Sequence, residues 1–163
     1  MVKINDLNEK IELIRRNCAE IIGEKELRNL IEKGKGSIYC GYEPSGPIHL
    51  GHLVTILKLK DFERVGFKVK ILLADVHAML NRKGNEKEIK KEVENWKRII
   101  KKLFVKAEVV LGSDFQFKKD YQMDVMGLAQ NSTINRGLRS MQEIARDFEN
   151  ATISQLWYPL MQV

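Results

Sequence analysis

The sequence predicts an α/β fold built on a doubly wound parallel sheet, and three observations carry that prediction. Short β-branched and aromatic runs alternate with longer segments of helical period, in the order strand, helix, strand, helix, strand. The second run, Lys68-Val69-Lys70-Ile71-Leu72-Leu73-Ala74, ends in unbroken apolar residues, as a parallel strand covered on both faces does. A chain of 163 residues that is 44% apolar with 3 prolines is long and apolar enough for one sizeable core.

The elements follow in order. Leu7, Ile11, Ile14, Cys18 and Ile21 step by 4, 3, 4 and 3, which predicts one helix stopped near Gly23. A second short helix through Leu27, Leu30 and Ile31 ends at Gly34-Lys35-Gly36. Residues 1–36 are thus an N-terminal helical segment packed outside the sheet. Ser37-Ile38-Tyr39-Cys40-Gly41-Tyr42 reads as the first strand. Leu50, Leu53, Val54 and Leu57 give the face of the next helix, which Gly66 closes. After the second strand, Ile89, Val93, Trp96, Ile100 and Leu103 mark the clearest helix, with lysines and glutamates on its outer side. Ala107-Glu108-Val109-Val110-Leu111-Gly112 reads as the third strand. Residues 120–150 read as helical throughout, with Ile134, Leu138, Met141 and Ala145 on one face and Arg136, Arg139 and Arg146 off it. The chain stops inside the apolar run Leu160-Met161-Gln162-Val163, so a truncated, split or partner-dependent domain is expected.

Composition narrows the function classes. No apolar run approaches the ~18 residues of a membrane span, and the N-terminus lacks the apolar stretch of a secretory signal. A cytoplasmic location is expected. Cys18 and Cys40 are too few for a disulfide framework and lack metal-ligand spacing, so two reduced, half-buried thiols are expected. A net charge of +6 suits a polyanionic partner without demanding one.

The chemistry concentrates where the first strand meets its helix. A parallel sheet places ligands beyond the carboxyl ends of its strands. Pro44-Ser45-Gly46-Pro47 makes a tight turn there, and the following helix start offers free N–H groups and a positive dipole end to phosphate. His49 and His52, three apart, fall on one face of the first turn. Gly51 between them lets an adenine ring or ribose approach the backbone. Two imidazoles can donate hydrogen bonds to a polyphosphate whose charge grows as pyrophosphate leaves.

These residues resemble a known family. His49-Leu50-Gly51-His52 is similar to the HIGH signature of class I aminoacyl-tRNA synthetases. Gly41-Tyr42-Glu43-Pro44-Ser45-Gly46, continuing to His52, resembles the tyrosyl-tRNA synthetases of archaeal and eukaryotic type more than the related tryptophanyl enzymes. Leu72-Leu73-Ala74-Asp75-Val76-His77-Ala78-Met79-Leu80-Asn81 and Tyr158-Pro159-Leu160-Met161-Gln162-Val163 resemble two further motifs of that branch, in the same order.

The resemblance implies a Rossmann-like sheet of the HUP type, of which residues 37–163 form the first half, with a helical connective and dimerisation insertion at about 115–150. It implies an ATP-dependent tyrosine–tRNA ligase, with His49 and His52 as catalytic residues and Pro44, Ser45, Gly46, His49, Gly51 and His52 at ATP. Tyr39 corresponds to the residue that meets the substrate phenol, and Tyr158 and Gln162, four apart and expected on one helix face, to residues that hold the ammonium. Glu43 supports that ammonium site, and Asp75 and His77 line the pocket wall. Arg139 corresponds to a contact with the first acceptor base pair, and Arg136 and Arg146 to phosphate contacts. The implied partners are L-tyrosine, ATP with Mg2+ but no tightly bound cofactor, tRNA-Tyr and a second copy in a homodimer. The KMSKS loop, the phenol-binding aspartate and the anticodon-binding domain are outside these 163 residues, so a separate chain supplying them is one expectation. Two other readings stay open: another HxGH nucleotidyltransferase, and a non-catalytic paralogue that keeps only tRNA or partner binding.

Overall fold

The computed structural model describes residues 6–142 and 150–162. Ala145, Arg146 and Val163, named above, lie outside the described residues.

Helix α1 spans Leu7–Arg15 and is capped by Asp6, whose Oδ1 accepts the Glu9 N–H at 2.9 Å. It buries Ile11 and Ile14. The predicted continuation through Cys18 and Ile21 does not form. Asn17 takes a left-handed φ of 57°. The last carbonyls find tertiary donors instead of another turn: Lys58 Nζ donates to the Ile14 carbonyl at 2.8 Å and also to that of Arg16. Arg16 grips buried Asp61 through both carboxylate oxygens, at 3.0 and 2.7 Å. Cys18 is consequently exposed rather than half-buried, whereas Cys40 is half-buried as expected. Helix α2, Glu24–Lys33, ends as expected at Gly34, whose φ of 60° only glycine adopts cheaply.

Strands β1 (Ser37–Tyr42), β2 (Lys68–Leu73) and β3 (Glu108–Leu111) form one sheet in the order β1-β2-β3. The Lys68 N–H donates to the Gly36 carbonyl at the start of the first pair, and the Ala74 N–H to the Tyr42 carbonyl at its end. Starts meet starts and ends meet ends, so the two strands run parallel. Ile71 and Leu73 on β2 are fully buried.

Helix α3, Leu50–Arg64, joins β1 to β2, but its inward face is not the predicted one. Ile56, Leu59 and Asp61 are buried, while Leu50, Val54 and Leu57 are exposed. Two helices follow β2. The first, α4 (Asp75–Leu80), was not anticipated; the second, α5 (Glu86–Leu103), carries the predicted Ile89, Val93, Trp96 and Ile100 stripe, all buried.

A 3-10 turn at Gly112–Asp114 leads from β3 into α6 (Lys119–Gln130) and α7 (Ile134–Met141). The continuous helix predicted over 120–150 is therefore interrupted: Thr133 caps α7, its Oγ1 accepting the Arg136 N–H at 3.3 Å. On the predicted face Met141 is fully buried and Leu138 half-buried, but Ile134 is exposed. The last elements are α8 (Ile153–Trp157), with a Thr152–Gln155 capping box, and a 3-10 turn at Tyr158–Met161.

The chain divides into two compact units. The first holds residues 1–41, 48–71 and 97–109, with a core of Ile11, Ile14, Ile31, Val65 and Phe67. The second holds 42–47, 72–96 and 110–163, where Val76, Val125 and Met161 pack with Leu80, Tyr121, Trp157 and Leu160. No described helix is long and apolar enough to cross a membrane.

Candidate active site

The two histidines are not simply side by side on α3. His49 is the N-cap and His52 occupies the third helical position. His49 Nδ1 accepts the Gly51 N–H at 3.2 Å, and His52 Nδ1 accepts the His49 N–H at 3.2 Å. This is a capping box made of imidazoles. Both rings use Nδ1 as acceptor, so this hydrogen-bond pattern assigns the proton of each neutral ring to Nε2. The rings lie 3.9 Å apart, tilted by 33°. Burial, then the neighbouring His49, lowers the pKa of His52 below its ordinary 6.5. Burial therefore favours the neutral form of the His52 ring.

The Pro44-Ser45-Gly46 turn rests on Trp96. The indole Nε1 donates to the Gly46 carbonyl at 2.8 Å, and the ring lies 5.3 Å from that of Tyr42. Pro44 and Trp96 are fully buried, while Ser45 is exposed. Above this floor Pro44, Ser45 and Gly46 line an open cavity of about 300 Å³ with Lys83, Glu88, Ile89, Lys91 and Glu92.

A polar cluster surrounds Tyr158. Burial, then the charge of the nearby Glu43 carboxylate and polar interaction with it, pushes the pKa of its phenol up to about 12. The phenol therefore keeps its proton. Asn81 Nδ2 donates to Glu43 Oε2 at 3.4 Å, and Gln155 Nε2 donates to Asn81 Oδ1 at 3.5 Å. His77 stands edge-on to Tyr158, with centroids 4.6 Å apart at 88°. Neither of its buried ring nitrogens has a partner among the described residues. Burial lowers the His77 pKa; the Asp75 charge and the Tyr158 backbone oppose that shift, without bringing a ring nitrogen into hydrogen-bond geometry. Asp75 Oδ1 is taken up by the Val76 and Ser113 N–H groups, at 3.0 and 2.9 Å, and so ties α4 to the turn after β3.

The structure thus brings Glu43, His77 and Tyr158 together. It does not put Gln162 on one helix face with Tyr158. The backbone there is 3-10, at three residues per turn, so a spacing of four turns the side chains apart. Gln162 is exposed just past the turn. Tyr39 lies on β1 and is 73% exposed. Arg136 and Arg139 are exposed on α7.

Sequence reasoning missed four residues: Asn81, Gln116, Tyr121 and Gln155. Asn81, Gln116 and Gln155 are buried, with exposures of 4%, 1% and 7%. Buried amides need partners; those of Asn81 and Gln116 lie 5 to 74 residues away, beyond any local pattern, whereas the Thr152–Gln155 capping box is a local signal that sequence reasoning passed over.

Comparison with known proteins adds the family. The model of tRNA synthetases class I (W and Y) matches residues 32–163. The tyrosine–tRNA ligase of Archaeoglobus fulgidus is 47% identical over 161 residues, covering 96% of this chain and 50% of the relative. That of Methanocaldococcus jannaschii is 46% identical over 155 residues, covering 95% of this chain and 51% of the relative. A crystal structure of the tyrosyl-tRNA synthetase complexed with L-tyrosine from A. fulgidus superposes with a TM-score of 0.89 at 47% identity, over 97% of this chain and 51% of that one. The corresponding L-tyrosine complex from Pyrococcus horikoshii gives 0.81 at 32% identity, over 97% and 46%. The chain spans about half the length of these relatives. Three parallel strands in a Rossmann-like arrangement, an imidazole-capped helix start and this match over most of the chain agree, and the chain belongs to the class I tRNA synthetases of the tryptophan and tyrosine type.

Proposed function

We propose that this chain carries the tyrosine- and ATP-recognising half of a tyrosine–tRNA ligase. The observation that carries the reading is the buried Tyr158 phenol, set edge-on to His77 and near Glu43, whose carboxylate accepts from Asn81 Nδ2 at 3.4 Å. A phenol that keeps its proton still offers oxygen lone pairs to an ammonium group. Glu43 supplies the counter-charge, and the Gln162 amide adds an acceptor. Tyr39 is the partner of the substrate phenol, and Asp75 and His77 shape the wall. A site that bonds the phenol discriminates against phenylalanine by roughly 10⁴ to 10⁵. The A. fulgidus and P. horikoshii structures, each a complex with L-tyrosine, support the same substrate.

ATP is assigned to Pro44, Ser45, Gly46, His49, Gly51 and His52. The tyrosine carboxylate attacks the α-phosphorus, and pyrophosphate leaves with the bonding pair of its bridging oxygen. The Nε2–H groups of His49 and His52 donate to phosphate oxygens as that charge grows. The 3′-terminal ribose hydroxyl of tRNA-Tyr then attacks the acyl carbon and releases AMP. No protein nucleophile takes part; positioning and charge stabilisation do the chemistry. Mg2+ enters as the counter-ion of ATP. Among the described residues no three His, Cys, Asp or Glu side chains gather to hold a metal.

Arg139 and Arg136 are assigned to the acceptor stem, the insertion at about 115–150 to a homodimer contact, and the KMSKS segment to sequence beyond these residues, in the same or another chain. The location is the cytoplasm. Tyrosine-dependent exchange of pyrophosphate into ATP tests activation, with calorimetric titration of a tyrosyl-adenylate analogue for binding alone. Exchange supported by another acceptor but not by tyrosine would overturn the assignment.

A further inference from the structure

We infer that Gln116 and Tyr121 are positioning residues that lock the Tyr158–Met161 turn, and through it set where Tyr158 and Gln162 meet the amino acid. The inference rests on the tyrosine reading above. The Met161 carbonyl accepts from Tyr121 Oη at 2.6 Å and from Gln116 Nε2 at 3.0 Å. Gln116 Nε2 also reaches Tyr121 Oη at 3.2 Å, which closes a three-membered network. Both lone pairs of that carbonyl are then engaged, so the peptide plane between Met161 and Gln162 cannot turn without breaking two bonds. Its orientation decides the direction in which Gln162 leaves the backbone, and Tyr158 begins the same turn.

The lock is itself held. The Gln116 N–H donates to the Gly112 carbonyl at 2.8 Å, and Gln122 Nε2 donates to the Gln116 carbonyl at 2.6 Å. A Cβ on Gly112 would stand 2.4 Å from Gln116 Oε1 and 3.0 Å from Asp75 Oδ1. An alanine there must displace the Gln116 amide. A 3-10 turn has weaker internal hydrogen bonds than an α-helix, so an external lock on its last carbonyl decides its geometry.

The test measures two quantities on the wild-type chain and on Tyr121→Phe, Gly112→Ala and Gln116→Ala. One is amide hydrogen exchange over residues 158–162. The other is calorimetric affinity for L-tyrosine beside that for a non-hydrolysable ATP analogue. Tyr121→Phe keeps the ring packed on Phe115 and removes one donor. Exchange over 158–162 should quicken and tyrosine affinity fall about tenfold, with the ATP analogue unaffected; Gly112→Ala should act in the same direction. Unchanged exchange and affinity in Tyr121→Phe and Gly112→Ala would overturn the inference, even if Gln116→Ala fails to fold. Equal loss of both ligands would overturn it too, as general destabilisation. Wild type that takes no L-tyrosine would overturn the functional reading and the use of the lock for tyrosine, while quickened exchange would still register the lock itself.

Discussion

His52 Nδ1 accepts the backbone N–H of His49 at 3.2 Å, so an imidazole does the work that a glutamate or glutamine does in an ordinary capping box. The cap occupies Nδ1 of each ring and assigns the ring proton to Nε2, which separates the structural duty of each ring from the chemical one proposed for it. Asparagine at position 49 is a good N-cap but has no Nε2–H. His49→Asn should keep α3 folded by circular dichroism. It should also lower the rate of tyrosine-dependent pyrophosphate exchange by about 10², with little change in the tyrosine KM.

Acid should open the same turn. The folded pKa of His52 is depressed below 6.5, chiefly by burial. The stabilisation it lends is therefore fully present above 6.5 and is lost as pH falls through the lower folded value. Protonation turns Nδ1 from acceptor to donor and breaks the bond from the His49 N–H. Titration of the His52 ring by NMR should show a midpoint below 6.5, with exchange at the first α3 amides rising over the same interval. A midpoint at or above 6.5 would contradict the geometry.

Tyr158→Phe tests the ammonium site. The ring and its edge-on contact with His77 survive, and the hydroxyl near Glu43 is lost. Tyrosine affinity should fall about tenfold, the worth of one polar contact at the upper end of the usual range. Binding of an ATP analogue should not move. Calorimetry with each ligand separately measures both.

Arg139→Ala tests the assignment of α7 to tRNA. The side chain is exposed, so stability should stay within about 0.5 kcal/mol. Transfer to tRNA-Tyr should slow while pyrophosphate exchange is retained, as separate assays of the two half-reactions would register. Equal loss in both would remove Arg139 from the tRNA contact.

The strands and the α5 stripe were legible because their patterns answer to cover that lies within these residues: Ile71 and Leu73 on β2, Val93 and Trp96 on α5, are all buried. The face of α3 was not. Leu50, Val54 and Leu57 make an apolar stripe as regular as any, yet they are exposed, and Ile56 and Leu59 face inward. Period shows that a face gains from cover; it does not say whether that cover lies within these 163 residues. Helix α1 stopped early for a reason no window can hold, since Lys58 and Asp61 lie more than forty residues from the carbonyls and guanidinium they bind. In the candidate site, Glu43, His77 and Tyr158 were found through motif resemblance. Asn81 was not, because its partners Glu43 and Gln155 are 38 and 74 residues away; Gln155 was missed although its capping box with Thr152 is local.

Trp96 underlies the turn that precedes the imidazole cap, and its bond to the Gly46 carbonyl has an optical consequence. The chain has 2 tryptophans, and the other, Trp157, is half-buried on α8. In a Trp157→Phe background the one remaining indole is fully dry and bonded to the loop backbone. Its emission should lie to the blue, and any nucleotide that pulls Gly46 from its floor should shift it to the red. The protein carries its own fluorescent gauge of the Pro44–Gly46 turn, readable without a label.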